Sequence, residues 1–395
     1  MFVSAPIKIV NVDLSNPYPI QDFEAEEDRL YIFWSGNLAV GQFYTRAGTA
    51  DLAAVSEAVK AAGAEAGHHP GAENFSAFEG RVSVVICTRD RPQDLARCLA
   101  SFSGQTRRPD QLLVVDNASV SDETRAVALA AGADYVREDR PGLDIARNTG
   151  ALRAEGDLVV YTDDDVVLHP HWLARMAGAF DAPEIWAVTG LVLPAELDTE
   201  AQVIFERHWG FGRGFRRRDF GPAFYAQHKR RACPSWDIGA GASMAFRKSV
   251  FDRIGLFDER LDVGAAGCSG DSEYWNRILH HGGTCRYEPA AIAFHRHRRD
   301  RAGLSRQIRA YMSGHVAALL VQYGNTGEFG NVRRLLTQLP RYYLRQALSR
   351  LRHGPRLQTM TLKEEVLGCL DGILFMAKDR FSRRPVSSDR SRTPT

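Results

Sequence analysis

Three consecutive carboxylates, Asp163, Asp164 and Asp165, follow the apolar run Leu158–Tyr161 after a single residue, Thr162. Adjacent acids repel one another, so a folded protein keeps them ionised only with a divalent cation or with many hydrogen-bond donors. The apolar run is typical of a buried strand, and open α/β sheets bind ligands beyond the carboxyl ends of their strands. The triplet therefore predicts a metal site for a phosphate-bearing substrate.

Two earlier apolar runs, Val82–Cys87 and Leu112–Val115, also end in polar side chains. These are Thr88, Arg89 and Asp90 after the first run, and Asp116 with Asn117 after the second. Parallel strands end at one edge of a sheet, so we expect these groups to converge on the crevice that holds the triplet. The first run lacks the Gly-x-Gly-x-x-Gly sequence that marks a dinucleotide site. Asp116 has an alternative role as a turn residue that caps a helix.

Arg147 lies about one turn into a predicted helix that begins at Leu143. Its forked guanidinium matches anionic oxygens and could reach a phosphate, the alternative being a surface arginine. His295 and His297 follow a further apolar run. One of them could complete a metal shell with Asp165, because neutral imidazole joins carboxylates around manganese. The alternative is that both begin a solvated basic segment.

Asp271 opens a predicted helix that runs to His280. It is either a general base held near the site or an acid that caps or complements the amino end of its helix. The sequence alone leaves both possibilities open.

Composition excludes several classes of protein. A net charge of +2 over 395 residues provides no global field for nucleic acid. The six cysteines form no Cys-x-x-Cys pair, which favours reduced thiols over a disulfide scaffold or a zinc site. The amino end shows no signal pattern, and no apolar stretch reaches the roughly 18 residues of a spanning helix. We therefore predict a cytoplasmic protein.

Strand and helix patterns alternate from Arg81 onward, which predicts an α/β fold with a doubly wound, mostly parallel sheet flanked by helices. We predict four units: a small α+β unit with a β-hairpin at 1–78, a catalytic domain at 79–300, a helical extension at 301–383 and a disordered tail at 384–395. The extension carries leucines at helical spacing, Leu344, Leu348 and Leu351, in a basic aromatic stretch with Arg341, Tyr342, Tyr343, Arg345, Arg350 and Arg352. This helix either contacts an anionic membrane surface, which would make the protein peripheral at the inner face, or packs on the core as a cap.

Taken together, these motifs resemble the family 2 glycosyltransferases of the GT-A fold, over roughly Arg81 to Arg299. The matching segments are Val84–Pro92, Val114–Asn117, Arg140–Gly142, Ala146–Asn148, Thr162–Asp165, Gly239–Arg247, Gly255–Asp258, Tyr287–Pro289 and His295–His297. The resemblance implies an inverting transfer of a sugar from a nucleotide-sugar donor, a UDP-sugar being favoured, to a hydroxyl on a glycan or lipid-linked acceptor. It also implies Mn²⁺ or Mg²⁺ as the cofactor, which neutralises charge as the nucleoside diphosphate leaves.

The resemblance also implies roles for single residues. The donor-binding set comprises Thr88, Arg89 and Asp90 for the nucleotide, Asp116 for the base, Arg147 for the diphosphate, Asp163 as the first signature acid, and Asp164 for the sugar or ribose. The metal set comprises Asp165 as the main ligand, Asp163 and His295. Asp271 would be the general base, and Gly241, Trp236 and Glu273 would lie on the acceptor side.

One position departs from the family pattern. The family usually has Glu-Asp where this chain has Gly270 and Asp271, so the base is kept and its acidic neighbour is absent. Glu273 is then a reserve candidate for the base. The Gln-x-x-Arg-Trp motif of processive synthases is not seen, which favours an enzyme that adds one sugar.

Two alternatives remain at this point. The pair Asp163 and Asp165 superficially fits the nucleophile motif of haloacid dehalogenase phosphohydrolases, although that motif normally follows the first strand of the core. A catalytically silent module that binds sugar nucleotides or glycans is the other alternative, because Gly270 replaces an acid.

Overall fold

The computed structural model describes residues 5–15, 26–48, 52–66, 77–263, 265–354 and 356–382. The predicted disordered tail at 384–395 lies outside these residues. The strands are β1 (Lys8–Asp13), β2 (Arg29–Ser35), β3 (Leu38–Thr45), β4 (Val82–Thr88), β5 (Gln111–Asn117), β6 (Asp134–Glu138), β7 (Leu158–Asp163), β8 (Val166–Leu168), β9 (Ile185–Pro194), β10 (Arg218–Phe220), β11 (Ser243–Arg247) and β12 (Thr284–His295).

Helices connect and cover these strands. They are α1 (Leu52–Ala66), α2 (Pro92–Ala100), α3 (Glu123–Ala130), α4 (Leu143–Arg153), α5 (Trp172–Gly178), α6 (Glu200–Trp209), α7 (Pro222–His228), α8 (Lys248–Ile254), α9 (Gly270–His280), α10 (Arg301–Thr326), α11 (Gly330–Arg333), α12 (Leu339–His353) and α13 (Leu362–Ser382).

The central sheet has the strand order β6-β5-β4-β7-β11-β9-β12-β10, with β8 paired to β12. Strands β4 to β7 pair in parallel, which is the half predicted from the alternation of strands and helices. The other half is mixed, because β11 runs antiparallel between β7 and β9. The predicted α/β architecture with flanking helices is therefore confirmed, and antiparallel strands join its second half.

Strand β4 shows why the sheet needs helices on both faces. Its apolar side chains alternate between two hydrophobic clusters, with Val85 and Cys87 in one and Val82, Val84 and Ile86 in the other. A strand whose two faces are both apolar can be buried only if both faces of the sheet are covered.

The chain also fixes where a ligand crevice forms. From β4 it passes to β5 and β6 on one side of the sheet, then returns to β7 on the other side of β4. The connections after β4 and β7 thus diverge, and open α/β sheets bind ligands at such a point. The register aligns Thr88 with Asp116 and Cys87 with Asp163, so the three polar strand ends meet at this edge.

The amino-terminal unit contains the predicted hairpin, in which β2 and β3 pair antiparallel around a turn at Gly36 with φ of +56°. Strand β1 adds in parallel to β2. The sheet shares a hydrophobic cluster with the central domain, since Ile7, Leu30 and Ile32 pack in the same cluster as Val85. The boundary near residue 78 stays a prediction.

The carboxy-terminal region is helical, as the sequence predicted. Helices α10 and α13 approach closely, because a Cβ at Gly368 or Gly372 would overlap the carbonyl oxygens of Arg309 and Ser313. Among the described helices, none combines the length and the apolarity that a membrane span requires.

Three leucines of α12 do not pack on the core. Leu344, Leu348 and Leu351 are 61%, 42% and 82% exposed. Leu339 and Tyr343 of the same helix pack in a hydrophobic cluster with Met312 and Val316, so the choice between a packed cap and a membrane contact stays a prediction.

Candidate active site at the carboxyl edge of the sheet

Three potential metal ligands converge at the crevice. Asp163 ends β7, Asp165 lies in the turn before β8, and His295 ends β12. Strand β8 pairs antiparallel with β12 so that Val166 lies opposite His295, which brings the histidine beside Asp165. One ligand atom from each of the three residues lies within 4.8 Å of the others. The predicted grouping of these residues is therefore present in the fold.

The oxygen and nitrogen atoms of this cluster fit a divalent cation. Asp165 Oδ1 is buried and lies 3.2 Å from His295 Nε2, which can donate to it only if that nitrogen carries a proton and not if it binds a metal. A buried carboxylate oxygen without a donor is costly unless a cation satisfies it. Carboxylates with an imidazole suit Mn²⁺, and carboxylates alone suit Mg²⁺.

Both histidines after β12 are enclosed. His295 is 6% exposed and His297 is 3% exposed. The alternative of a solvated basic segment is therefore wrong for this pair.

Arg91 is a functional candidate to which sequence reasoning gave no role. Its Nη1 donates to Asp164 Oδ1 at 3.1 Å and to Asp165 Oδ2 at 3.3 Å. Although burial would raise the pKa of Asp165, His295 and Arg91 hold it below the usual range. Burial, followed by the charge of Asp165, raises the pKa of Asp164 to about 7. The available signal was the place of Arg91 directly after the polar end of β4.

The polar residues after β4 take different positions. Thr88 donates its hydroxyl to Asp164 Oδ2 at 2.7 Å, so it lies at the triplet. The Arg89 side chain is 52% exposed. Asp90 is used within the protein, because its Oδ1 accepts the Val120 N–H at 2.7 Å. Donor contacts for Arg89 and Asp90 stay predictions.

Asp116 is completely buried at the end of β5. Its Oδ2 accepts the Tyr135 hydroxyl at 2.8 Å, and its Oδ1 accepts the Ser119 N–H at 3.2 Å. The second bond is the turn role that was considered as an alternative, and it leaves recognition of the base as a prediction.

Asp271 lies in the first turn of α9 and reaches across to another segment. Its Oδ1 accepts the N–H of Ser272 at 2.6 Å, and its Oδ2 accepts the Gly241 N–H at 3.0 Å. A Cβ on Gly241 would lie 2.9 Å from Asp271 Oδ2 and 2.7 Å from Arg147 Nη2. Glycine at 241 therefore lets an acid and a cation approach the same stretch of backbone.

Arg147 is a buried cation, 4% exposed, and the alternative of a surface arginine is wrong. Its Nη1 donates to Asp144 Oδ1 at 3.0 Å. Burial would lower the pKa of Arg147, but the charges of Asp144, Asp163 and Asp271 raise it above the usual range. Burial raises the pKa of Asp144 to about 7 against the opposite effect of Arg147. Asp144 is a second residue that sequence reasoning missed.

The remaining acceptor-side candidates have partners inside the protein. The Trp236 ring contacts the His315 ring at 4.9 Å between centroids, and the guanidinium of Arg334 lies 4.2 Å from its centre. Glu273 is completely buried and pairs with Arg277 at 2.9 Å. Acceptor contacts for these residues stay predictions.

Residues 83–255 match the family model described as glycosyl transferase family 2. The matching segment is therefore of the glycosyl transferase family 2 type, and it spans 173 of the 395 residues. This match spans β4, β7 and β11 and includes the acid triplet. It decides against the haloacid dehalogenase alternative.

Several known proteins are similar to this chain. The O-antigen biosynthesis protein RfbC of Myxococcus xanthus is 29% identical over 206 residues, which cover 50% of this chain and 16% of that protein. The pre-mycofactocin glycosyltransferase of Mycobacterium tuberculosis is 27% identical over 247 residues, covering 61% of this chain and 48% of that protein. The chain thus spans less than half the length of either relative.

Among solved structures, the mannosyltransferase PcManGT from Pyrobaculum calidifontis, in complex with GDP-Man and Mn²⁺, has a TM-score of 0.49 and 17% identity. That likeness covers 79% of this chain and 91% of the other.

Proposed function

We propose that this chain transfers a sugar, with inversion, from a nucleotide-diphosphate sugar to a hydroxyl of a glycan or lipid-linked acceptor. One observation carries the proposal. Arg147 lies close enough to feel the charges of both Asp163, a member of the cation ligand set with Asp165 and His295, and Asp271. The departing diphosphate needs positive charge on one side of the reacting carbon. The acceptor hydroxyl needs a carboxylate on the other side to take its proton.

The donor would be held at the carboxyl edge of the sheet. Asp163, Asp165 and His295 would bind Mn²⁺ or Mg²⁺, which supplies Lewis-acid neutralisation of the leaving diphosphate. Arg147 adds a fixed positive charge for the same phosphates, and its burial keeps that charge poorly screened by solvent. Asp116 would bind the base, for which uracil is the favoured candidate.

Asp271 would act as the general base. As the acceptor oxygen attacks the anomeric carbon, its proton passes to the Asp271 carboxylate, and the bond from that carbon to the diphosphate oxygen breaks. Attack from the face opposite the leaving group inverts the configuration. The N–H groups of Gly241 and Ser272 donate to the two carboxylate oxygens and fix the direction in which the Asp271 side chain points.

The test is transfer or hydrolysis of a nucleotide sugar with Mn²⁺, with the configuration of the product read by NMR. Asp271→Asn is expected to lower the turnover at least 100-fold, within the range that general bases contribute, while UDP and Mn²⁺ still bind. Asp252→Asn, an exposed aspartate on α8, is the matched control and keeps full turnover.

Retention of configuration, or an Asp271→Asn variant as active as the wild type, would remove Asp271 from the proposed role. Tight donor binding without any turnover in the wild type would favour the silent binding module instead.

The donor base can be identified by ligand-induced stabilisation. UDP, GDP, dTDP and CDP, each with Mn²⁺, are compared by thermal shift, because a ligand that binds only the folded state raises its melting temperature. The largest shift is expected with UDP. A larger shift with GDP would assign a different base.

We further propose that α12 contacts an anionic membrane surface, where a lipid-linked acceptor would lie. Its leucines at 344, 348 and 351 are exposed, and the helix carries four arginines, Arg341, Arg345, Arg350 and Arg352, and no acidic residue. Each basic residue near an anionic surface contributes about 1 kcal/mol, and exposed leucines add apolar contact with the acyl boundary.

Co-sedimentation with vesicles tests this contact. Binding is expected to vesicles that contain phosphatidylglycerol and to be lost in vesicles of phosphatidylcholine alone. Leu348→Asp and Arg345→Glu should each weaken it, whereas Val120→Asp, at an exposed site on the central domain, should not. Equal binding by all variants, or none by the wild type, contradicts the proposal.

A further inference from the structure

Gly270 is a glycine because another side chain occupies the space beside it. A Cβ at this position would lie 2.5 Å from Asp144 Oδ1 and closer still to Oδ2. The backbone of Gly270 does not have a positive φ, so its conformation does not require glycine. The requirement therefore comes from the carboxylate of Asp144, 126 residues earlier in the chain.

Asp144 does not serve the amino end of its own helix. Acids in a first turn often accept the free N–H groups there. In α4 that task belongs to Asp262, whose carboxylate accepts the N–H groups of Leu143 and Ile145. Asp144, which is 2% exposed, instead accepts from Arg147 one turn further along the helix.

This contact fixes how the guanidinium is aimed. Nη1 of Arg147 is held by Asp144 at 3.0 Å, while Nη2 lies on the side of Gly241 and Asp271. The pair is almost completely buried, at 2% and 4% exposed. A buried guanidinium without this partner would turn toward the remaining carboxylates, Asp163 and Asp271, which the proposed reaction needs for other tasks.

We propose that Asp144 supplies from α4 the second acid that the family resemblance expects at position 270, and that Gly270 admits it. The inference rests on the proposed function and deepens it. Asp144 is a positioning residue: it acts through Arg147 on the donor diphosphate and touches neither the acceptor nor the metal ligands. The acid expected at 270 on α9 is thereby exchanged for one at 144 on α4.

The first test is the isosteric variant Asp144→Asn, which keeps the shape and removes the charge. UDP affinity, measured by calorimetry with saturating Mn²⁺, is expected to fall at least tenfold, and the donor KM should rise more than kcat falls. Mn²⁺ affinity without UDP should fall less than UDP affinity, because Asp144 reaches the metal ligand Asp163 only through Arg147. Unchanged UDP affinity overturns the proposal. Because this readout needs no turnover, it remains decisive even if the proposed transfer fails.

The second test exchanges the two positions. Asp144→Ser should weaken UDP binding, and Gly270→Glu should weaken it further or unfold the protein, since the new side chain meets Asp144. The double variant Asp144→Ser/Gly270→Glu should bind UDP at least tenfold more tightly than Gly270→Glu. Alanine at 270 gives the same comparison for stability. The double variant Asp144→Ser/Gly270→Ala should melt at a higher temperature than Gly270→Ala alone.

Failure of the double variant to recover either UDP binding or stability relative to Gly270→Glu overturns the exchange. If the double variant recovers UDP binding and stability but the wild type turns over no donor, the exchange of the acid between positions 144 and 270 stands. Only the proposed sugar transfer is then rejected.

Discussion

Single residues behind the metal ligands extend the site into the protein. His295 Nδ1 lies 2.9 Å from His297 Nδ1, and His297 Nε2 lies 2.9 Å from Glu206 Oε2. If His295 offers Nε2 to a cation, its Nδ1–H must donate to His297, which then donates from Nε2 to Glu206. One set of tautomers thus satisfies the whole chain, and partners behind a ligand are what fix its orientation.

At this scale we predict that His297→Phe weakens Mn²⁺ binding by about 10- to 100-fold, the usual effect of losing a partner behind a metal ligand. Phenylalanine keeps most of the ring volume beside Phe205 and Phe211 but cannot accept from His295. Calorimetry with Mn²⁺ measures the change. His281→Phe, at an exposed histidine after α9, should leave the affinity unaltered, and an equal affinity in both variants would contradict the chain of contacts.

Among the secondary-structure elements, the carboxy-terminal helices meet the central domain through an irregular turn. Residues Arg334–Gln338 form a π-helical segment between α11 and α12. Arg334 at its start packs over Trp236 and donates from Nε to His315 Nε2 at 3.1 Å. His315 must therefore be neutral at this contact. Burial, followed by the charge of Arg334, lowers the pKa of His315 to about 3.

This contact predicts a pH dependence of stability. The folded-state pKa of His315 lies below the value of about 6.5 for an unfolded chain. Its stabilising contribution is therefore fully present above pH 6.5 and is lost as the pH falls toward 3. The loss is at most about 1.4 kcal/mol per pH unit, or about 2 kcal/mol between pH 6.5 and 5.

Urea unfolding at pH 7.5 and pH 5 measures the effect, with His315→Gln as the comparison because glutamine can accept from Arg334 without titrating. The wild type should lose more free energy of unfolding on acidification than the variant. If both proteins lose the same free energy of unfolding, protonation of His315 does not control how the carboxy-terminal helices pack on the central domain.

On the scale of the whole molecule, the amino-terminal sheet and the central domain are built as one packed body. Trp34 stacks on His169 at 5.9 Å between ring centroids. Arg175 donates from Nη1 to the carbonyl oxygens of Asn37 at 3.0 Å and Ala290 at 2.9 Å, which ties the hairpin turn to β12. The shared hydrophobic cluster continues across the same boundary.

We therefore predict a single cooperative unfolding transition in calorimetry that includes the amino-terminal unit. Trp34→Ala should shift that one transition to lower temperature, because it removes an aromatic contact at the boundary. Val120→Ala, whose side chain is 90% exposed, should not shift it. Two resolved transitions in the wild type would instead describe an independently folding unit.

The sequence by itself determined the local features and their order. Apolar runs that end in acids define strand ends, and the register of parallel strands then brings Thr88, Asp116 and Asp163 to one edge. The hairpin at Gly36 and the helix from Asp271 to His280 follow likewise from short-range patterns. These predictions hold because backbone geometry repeats every two or 3.6 residues, so that a short segment contains its own evidence.

Only the tertiary structure decided which side chains meet across the chain. Arg91 reaches Asp164 over 73 residues, and Asp144 displaces any side chain at Gly270, contacts that no local period encodes. The leucine stripe of α12 shows the same limit, since its spacing revealed an apolar face but not whether the protein covers it. Packing of distant segments sets burial and charge, and these in turn decide which acids hold a cation and which hold Arg147.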